Sequence, residues 1–102
     1  MDFDVAVIGG GSAGYASAST AQSLGARVAI VDPGPLGGLC ILRGCMPTKT
    51  ILRSSDIMAL MRRAEEFGLQ PVDPHASLSA INDRKNKLIQ EFTDYRIQQL
   101  KD

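Results

Sequence analysis

Two groups of residues carry side chains and spacings that could do chemistry. The first is Cys40 and Cys45, the chain's two thiols, separated by Ile41-Leu42-Arg43-Gly44. They lack the two-residue spacing of a zinc knuckle, and His75 is the single histidine, so no metal site is expected. On a regular helix, positions five apart point about 140° away from each other. A disulfide needs Cα atoms within about 7 Å. The pair can therefore close only where the turn is distorted, and Gly44 permits that distortion. Arg43 and a nearby helix start would favour a thiolate, and a small strained bridge would be readily reduced. Two inert, buried thiols in a reducing compartment fit the pair equally well at this point.

The second group is Gly9, Gly11 and Gly14, a G-x-G-x-x-G run that follows an apolar segment. Such spacing gives a tight turn at Gly9, room at Gly11 for a pyrophosphate, and close helix–strand packing at Gly14. The amides of Ser12 and Ala13 at a helix N-terminus would attract the diphosphate. Asp32 stands 18 residues beyond Gly14, where a carboxylate can bind an adenosine ribose and disfavour a 2′-phosphate. The pattern reads only an ADP half, so FAD and NAD remain open.

These residues need elements to hold them. Residues 3–8 form an unbroken apolar-rich run, as does Arg27–Asp32, and both read as strands buried on two faces. Between them, Ser12 to Leu24 is rich in Ala and Ser, and Gly25 suits a left-handed cap. The front is thus a βαβ unit. Pro33 to Gly38 reads as a loop. Residues 44–67 turn helical, with Ile51, Leu52, Ile57, Met58, Met61 and Ala64 on one side, and Gly68 and Pro71 mark the exit. A last amphipathic helix is predicted to start near Ser77, with Asp73-Pro74 as another possible cap. Its apolar stripe is read as Leu78, Ile81, Leu88, Phe92 and Tyr95, with Arg84, Lys85, Lys87, Glu91, Asp94 and Lys101 solvated.

The 102 residues allow one small domain, and 44% hydrophobic with 22% charged residues argues against disorder. Eleven basic and 11 acidic residues cancel, which gives no reason to expect nucleic acid or an anionic membrane as a partner. No stretch approaches the roughly 20 apolar residues of a membrane span. The acidic start, Asp2 and Asp4, is unlike a secretory leader, so a cytoplasmic chain is expected.

The run Gly37-Gly38-Leu39-Cys40-Ile41-Leu42-Arg43-Gly44-Cys45-Met46-Pro47-Thr48-Lys49 resembles the redox signature of class I pyridine nucleotide-disulfide oxidoreductases. Dihydrolipoyl dehydrogenase, glutathione reductase and mercuric reductase belong to that group. The glycine fingerprint, Asp32 and the cysteine run appear in the family's order. The resemblance implies FAD as cofactor, held by Gly9, Gly11, Ser12, Ala13, Gly14, Asp32, Gly38, Leu39 and Lys49. It further implies a redox-active Cys40–Cys45 disulfide, with Cys40 as interchange thiol, Cys45 as charge-transfer thiol and Lys49 near the flavin N5. Leu39 stands where many members carry Thr, so any hydroxyl contact there is lost.

Relatives of this kind are several times longer. The resemblance therefore implies that residues 1–102 are the N-terminal portion of a Rossmann-like FAD-binding domain with an incomplete sheet. The NAD(P) and dimerisation domains would lie outside it. The whole protein would be a homodimeric reductase acting on a small dithiol or disulfide, a protein-borne lipoyl group, or a metal ion. A stand-alone dinucleotide-binding module and a truncated chain without function are the competing expectations.

Overall fold

The computed structural model describes residues 2–102. Strand β1 (Val5–Ile8) leads into helix α1 (Ser12–Ser23), which returns the chain to strand β2 (Val28–Val31). The strands pair in parallel, Val5 opposite Val28 through Ile8 opposite Val31. Asp4 fixes this register: its carboxylate accepts from the Arg27 backbone N–H at 2.8 Å and from the Arg27 guanidinium at 2.9 Å. Gly25, with φ +93°, closes the helix exit as expected. The βαβ unit is the fold class read from the sequence. The strands are shorter than the apolar runs because Phe3, Arg27 and Asp32 lie beyond the paired registers.

After β2 the chain makes a single turn, α2 (Leu39–Leu42), and then the long helix α3 (Cys45–Arg62). A 3₁₀ turn over Ala64–Phe67 ends at Gly68, left-handed at φ +73°. Helix α4 (Leu78–Lys101) runs back along α3. Ser77 caps it, its Oγ accepting from Ala80 N–H, so Ser77 rather than Asp73 sets the start. Arg84 reaches from α4 to donate to the Thr50 carbonyl at 3.1 Å.

The α3–α4 hairpin projects from the small α/β head, giving dimensions of 64 × 26 × 17 Å and a radius of gyration of 19.6 Å. A compact domain of about 100 residues has roughly 13 Å. The interior is correspondingly thin. Ala18 and Ile41 are the buried apolar residues among those described.

Three expectations need correction. The strands are not covered on both faces, since Ile8 is 89% and Val31 58% exposed; α1 is the helix that packs against the sheet. On α3 the sheltered side is Met46, Thr50, Ser54 and Met58, while Ile51, Leu52 and Ile57 face outward. On α4 the sheltered side is Ile81, Lys85, Ile89, Thr93 and Ile97, an i,i+4 row. Leu78, Phe92 and Tyr95 are exposed. Apolar periodicity marks a face that could be covered. The neighbouring helix decides which face is.

Candidate functional site

The glycine fingerprint is set by one close approach. A Cβ on Gly14 would lie 1.8 Å from the Gly9 carbonyl oxygen, so α1 sits on the turn after β1 at a distance only hydrogen permits. Gly9 itself has φ +99° and donates to the Val31 carbonyl at 2.8 Å. Gly11 caps α1 without a side-chain hydrogen bond, and the first helical bond runs from Tyr15 N–H to Gly11 C=O. The amides of Ser12, Ala13 and Gly14 precede that bond, and no acid lies in the first turn. A Cβ on Gly11 would meet nothing within 4 Å. The cradle thus has open space, unpaired amides and a favourable dipole, which fits a dinucleotide diphosphate such as that of FAD.

Asp32 faces this turn. One carboxylate oxygen accepts from Gly10 N–H at 2.6 Å and the other from Gly34 N–H at 2.7 Å. The Gly10 amide, then that of Gly34, holds its pKa below the ordinary carboxylate value. Each oxygen keeps a lone pair for a ribose hydroxyl. Gly10 and Gly34 are residues that the sequence reading missed. The D-x-G step at Asp32-Pro33-Gly34 was an available signal for the second.

The thiols come next. Gly38, at φ +84°, starts α2, and a Cβ there would lie 2.7 Å from Gly11 Cα. The cysteine segment therefore docks backbone to backbone on the fingerprint. Cys40 lies on α2 and Cys45 is the first residue of α3, with the helix broken at Arg43 and Gly44. A Cβ on Gly44 would meet Leu39 O at 3.0 Å and Cys40 Cα at 3.3 Å. That contact folds Cys45 back over Cys40, the distortion the spacing demanded. A single helix through both cysteines does not exist.

Both cysteines are free thiols here, Cys40 half-buried and Cys45 exposed, rather than a disulfide. Their sulfur atoms are close enough for each thiol to shift the pKa of the other. The neighbouring Cys45 sulfur, then burial, push the Cys40 pKa up. The neighbouring Cys40 thiol, opposed in part by burial, and the Lys49 charge pull the Cys45 pKa down. The place of Cys45 at the head of an 18-residue helix acts in the same direction. Lys49 lies one turn further along α3 and is exposed, and Leu39 is 74% exposed. Among the described residues no cluster of metal-ligating side chains occurs, and no helix is long and apolar enough to cross a membrane.

A parallel βαβ turn with a thiol-bearing segment docked on its glycines is consistent with a Rossmann-like α/β fragment. Comparison makes the assignment specific. Residues 3–100 match the family described as pyridine nucleotide-disulphide oxidoreductase, and the chain belongs to that family. It is 33% identical over 91 residues to a dihydrolipoyl dehydrogenase of Bacillus subtilis, covering 89% of this chain and 19% of that one. It is 34% identical over 101 residues to a mercuric reductase of Lysinibacillus sphaericus, covering 99% and 18%. A glutathione reductase of Yarrowia lipolytica is 44% identical over 72 residues, covering 71% and 15%. The chain spans about a fifth or less of the length of these curated relatives.

Proposed function

We propose that this chain is the FAD- and dithiol-bearing part of a pyridine nucleotide-disulfide reductase. The observation that carries the reading is the contact of Gly38 on Gly11, which sets the Cys40–Cys45 pair beside an amide-lined cradle. Ser12, Ala13 and Gly14 would hold the diphosphate, and Asp32 the adenosine ribose. Bound FAD would supply two-electron transfer between a nicotinamide and the thiol pair. NAD(P) would bind through regions outside these residues.

The chain's own part is dithiol–disulfide exchange. Two cysteine thiols and one external disulfide give the Cys40–Cys45 bond and two released thiols. One S–S bond breaks, one forms, and two electrons pass to the substrate with two protons. Cys45, its pKa lowered beside Lys49, would be the thiol that ionises first, and Cys40, its pKa raised, the one that holds its proton longer. The substrate would be a small dithiol or disulfide or a protein-borne lipoyl group, and the working enzyme a homodimer.

Titration of FAD into the protein tests the reading. Flavin fluorescence is expected to be quenched on binding, and Gly11→Val to abolish the quenching while leaving helix content unchanged. Wild-type protein that leaves flavin fluorescence untouched would sink the proposal.

A further inference from the structure

One charge on the sheltered row of α4 is out of place. Ile81, Ile89, Thr93 and Ile97 can be covered without burying a charge, but Lys85 lies half-buried among them. It lines a slot of about 670 Å³ between α4 and the segment that follows β2 and includes α2. Leu36, Leu42 and Ile89 supply apolar walls, and Asn86 a side-chain amide. Arg43, which closes α2, lines the same slot. A cavity with apolar walls and a few placed polar groups is the usual form of a small-molecule site.

Both cations are unbalanced. Arg27, Arg62 and Arg63 pair with Asp4, Asp73 and Glu66, and Arg84 donates to the Thr50 carbonyl. Arg43 and Lys85 have neither an ion pair nor a side-chain hydrogen bond among the described residues. No Asp or Glu lines the slot, and Asp94 on α4 accepts from Gln90 at 2.8 Å instead. Nor does Arg43 serve the thiols, since the cation acting on Cys40 and Cys45 is Lys49. Two like charges on one partly enclosed space repel each other more strongly than in water, and an anion between them relieves both.

We infer that this slot binds a small phosphomonoester with an apolar body. Such a group carries about −1.5 to −2 charges at pH 7, which matches two cations, whereas a carboxylate balances one. The planar guanidinium of Arg43 can take two phosphate oxygens and the Lys85 ammonium a third. Leu36, Leu42 and Ile89 suit the organic part. The slot shares no residue with the Ser12–Gly14 cradle, so the FAD titration could fail and this binding still stand.

The test titrates phenyl phosphate, benzoate and phenol separately into the protein, with calorimetry measuring each and amide NMR shifts locating it. Phenyl phosphate is expected to bind more tightly than about 1 mM and to shift the amides of Arg43, Lys85 and Asn86. Benzoate is expected to bind about fivefold more weakly or worse, and phenol not measurably. Arg43→Gln and Lys85→Gln are each expected to weaken phenyl phosphate about tenfold with helix content unchanged. Lys85→Arg, which keeps the charge, is expected to hold it within about threefold. Phenyl phosphate that shifts only the Ser12–Gly14 amides would assign the phosphate to the glycine cradle and overturn the inference. So would absent binding by the wild type, unchanged affinity in Arg43→Gln, or benzoate bound as tightly as phenyl phosphate. Displacement of phenyl phosphate from the slot by FAD would also overturn it, because the slot would then hold the cofactor.

Discussion

Gly11→Ala and Gly14→Ala add the same methyl group three residues apart, and the structure assigns them opposite consequences. At Gly14 the new Cβ would lie 1.8 Å from the Gly9 carbonyl oxygen and 2.9 Å from its carbon, where real Cβ atoms stay beyond 3.0 Å. Both partners are backbone, so no rotamer change relieves the clash. Helix α1 must lift by more than about 1 Å from the turn, losing its seat on Val7 and the cover over Ala18. Overpacking of this kind costs about 1–3 kcal/mol and more where nothing yields, so about 3 kcal/mol is expected. At Gly11, φ is −75° and nothing lies within 4 Å, so stability should change by less than about 0.5 kcal/mol. FAD affinity is nonetheless expected to fall about tenfold or more, because the methyl group occupies the open space of the cradle. Urea unfolding followed by circular dichroism gives the first pair of numbers and flavin fluorescence the last. Gly14→Ala as stable as wild type, or Gly11→Ala as damaging as Gly14→Ala, would refute the close-approach reasoning.

The thiol pair predicts a pH-resolved labelling order. Cys45 should react with iodoacetamide below its ordinary thiol range and Cys40 only above it, as peptide mapping after timed alkylation would show. Lys49→Met should move the Cys45 profile to higher pH, and an unmoved profile would remove Lys49 from the electrostatics. Asp32 has a folded pKa below its unfolded value, so its contribution to stability is present above that unfolded value. It is lost as pH falls through the folded pKa. Asp32→Asn should therefore lower stability at neutral pH and flatten the acid limb of the stability curve; a superimposable acid limb would count against the Gly10 and Gly34 clamp.

Local features were legible in the sequence wherever one residue decides the backbone. Ser77 at the head of α4, Gly25 after α1 and Gly68 after the 3₁₀ turn each stop or start an element by their own chemistry. The parallel βαβ unit followed from apolar runs around a glycine turn. Helix faces were legible only in part: Met58, Ala64, Ile81 and Leu88 are sheltered as read. Ile51, Leu52, Phe92 and Tyr95 have apolar character but stay exposed, whereas Thr50 and Thr93 satisfy their hydroxyls on carbonyls four residues back and so tolerate the helix–helix contact. Arg84 was read as solvated because its charge is visible in the sequence and the Thr50 carbonyl opposite it is not.

The site shows why glycine spacing reveals that a close approach exists but not always what approaches. Gly9 and Gly14 lie five residues apart and meet within one turn, so their pairing follows from the motif itself. Gly38 and Gly11 lie 27 residues apart, and nothing in either segment names the other. Yet that second contact joins two separable features, a turn of unpaired amides and a thiol pair, into one surface. Gly44 on Cys40 completes the chain of approaches by turning the thiols together. A substitution that adds bulk at Gly38 should therefore leave both features locally intact and uncouple them. FAD would still bind the cradle, and the Cys45 pKa would still be lowered, but cofactor would no longer slow alkylation of Cys45. If Gly38→Ala kept full FAD protection of that thiol, the docking of α2 on the fingerprint would not be what joins them.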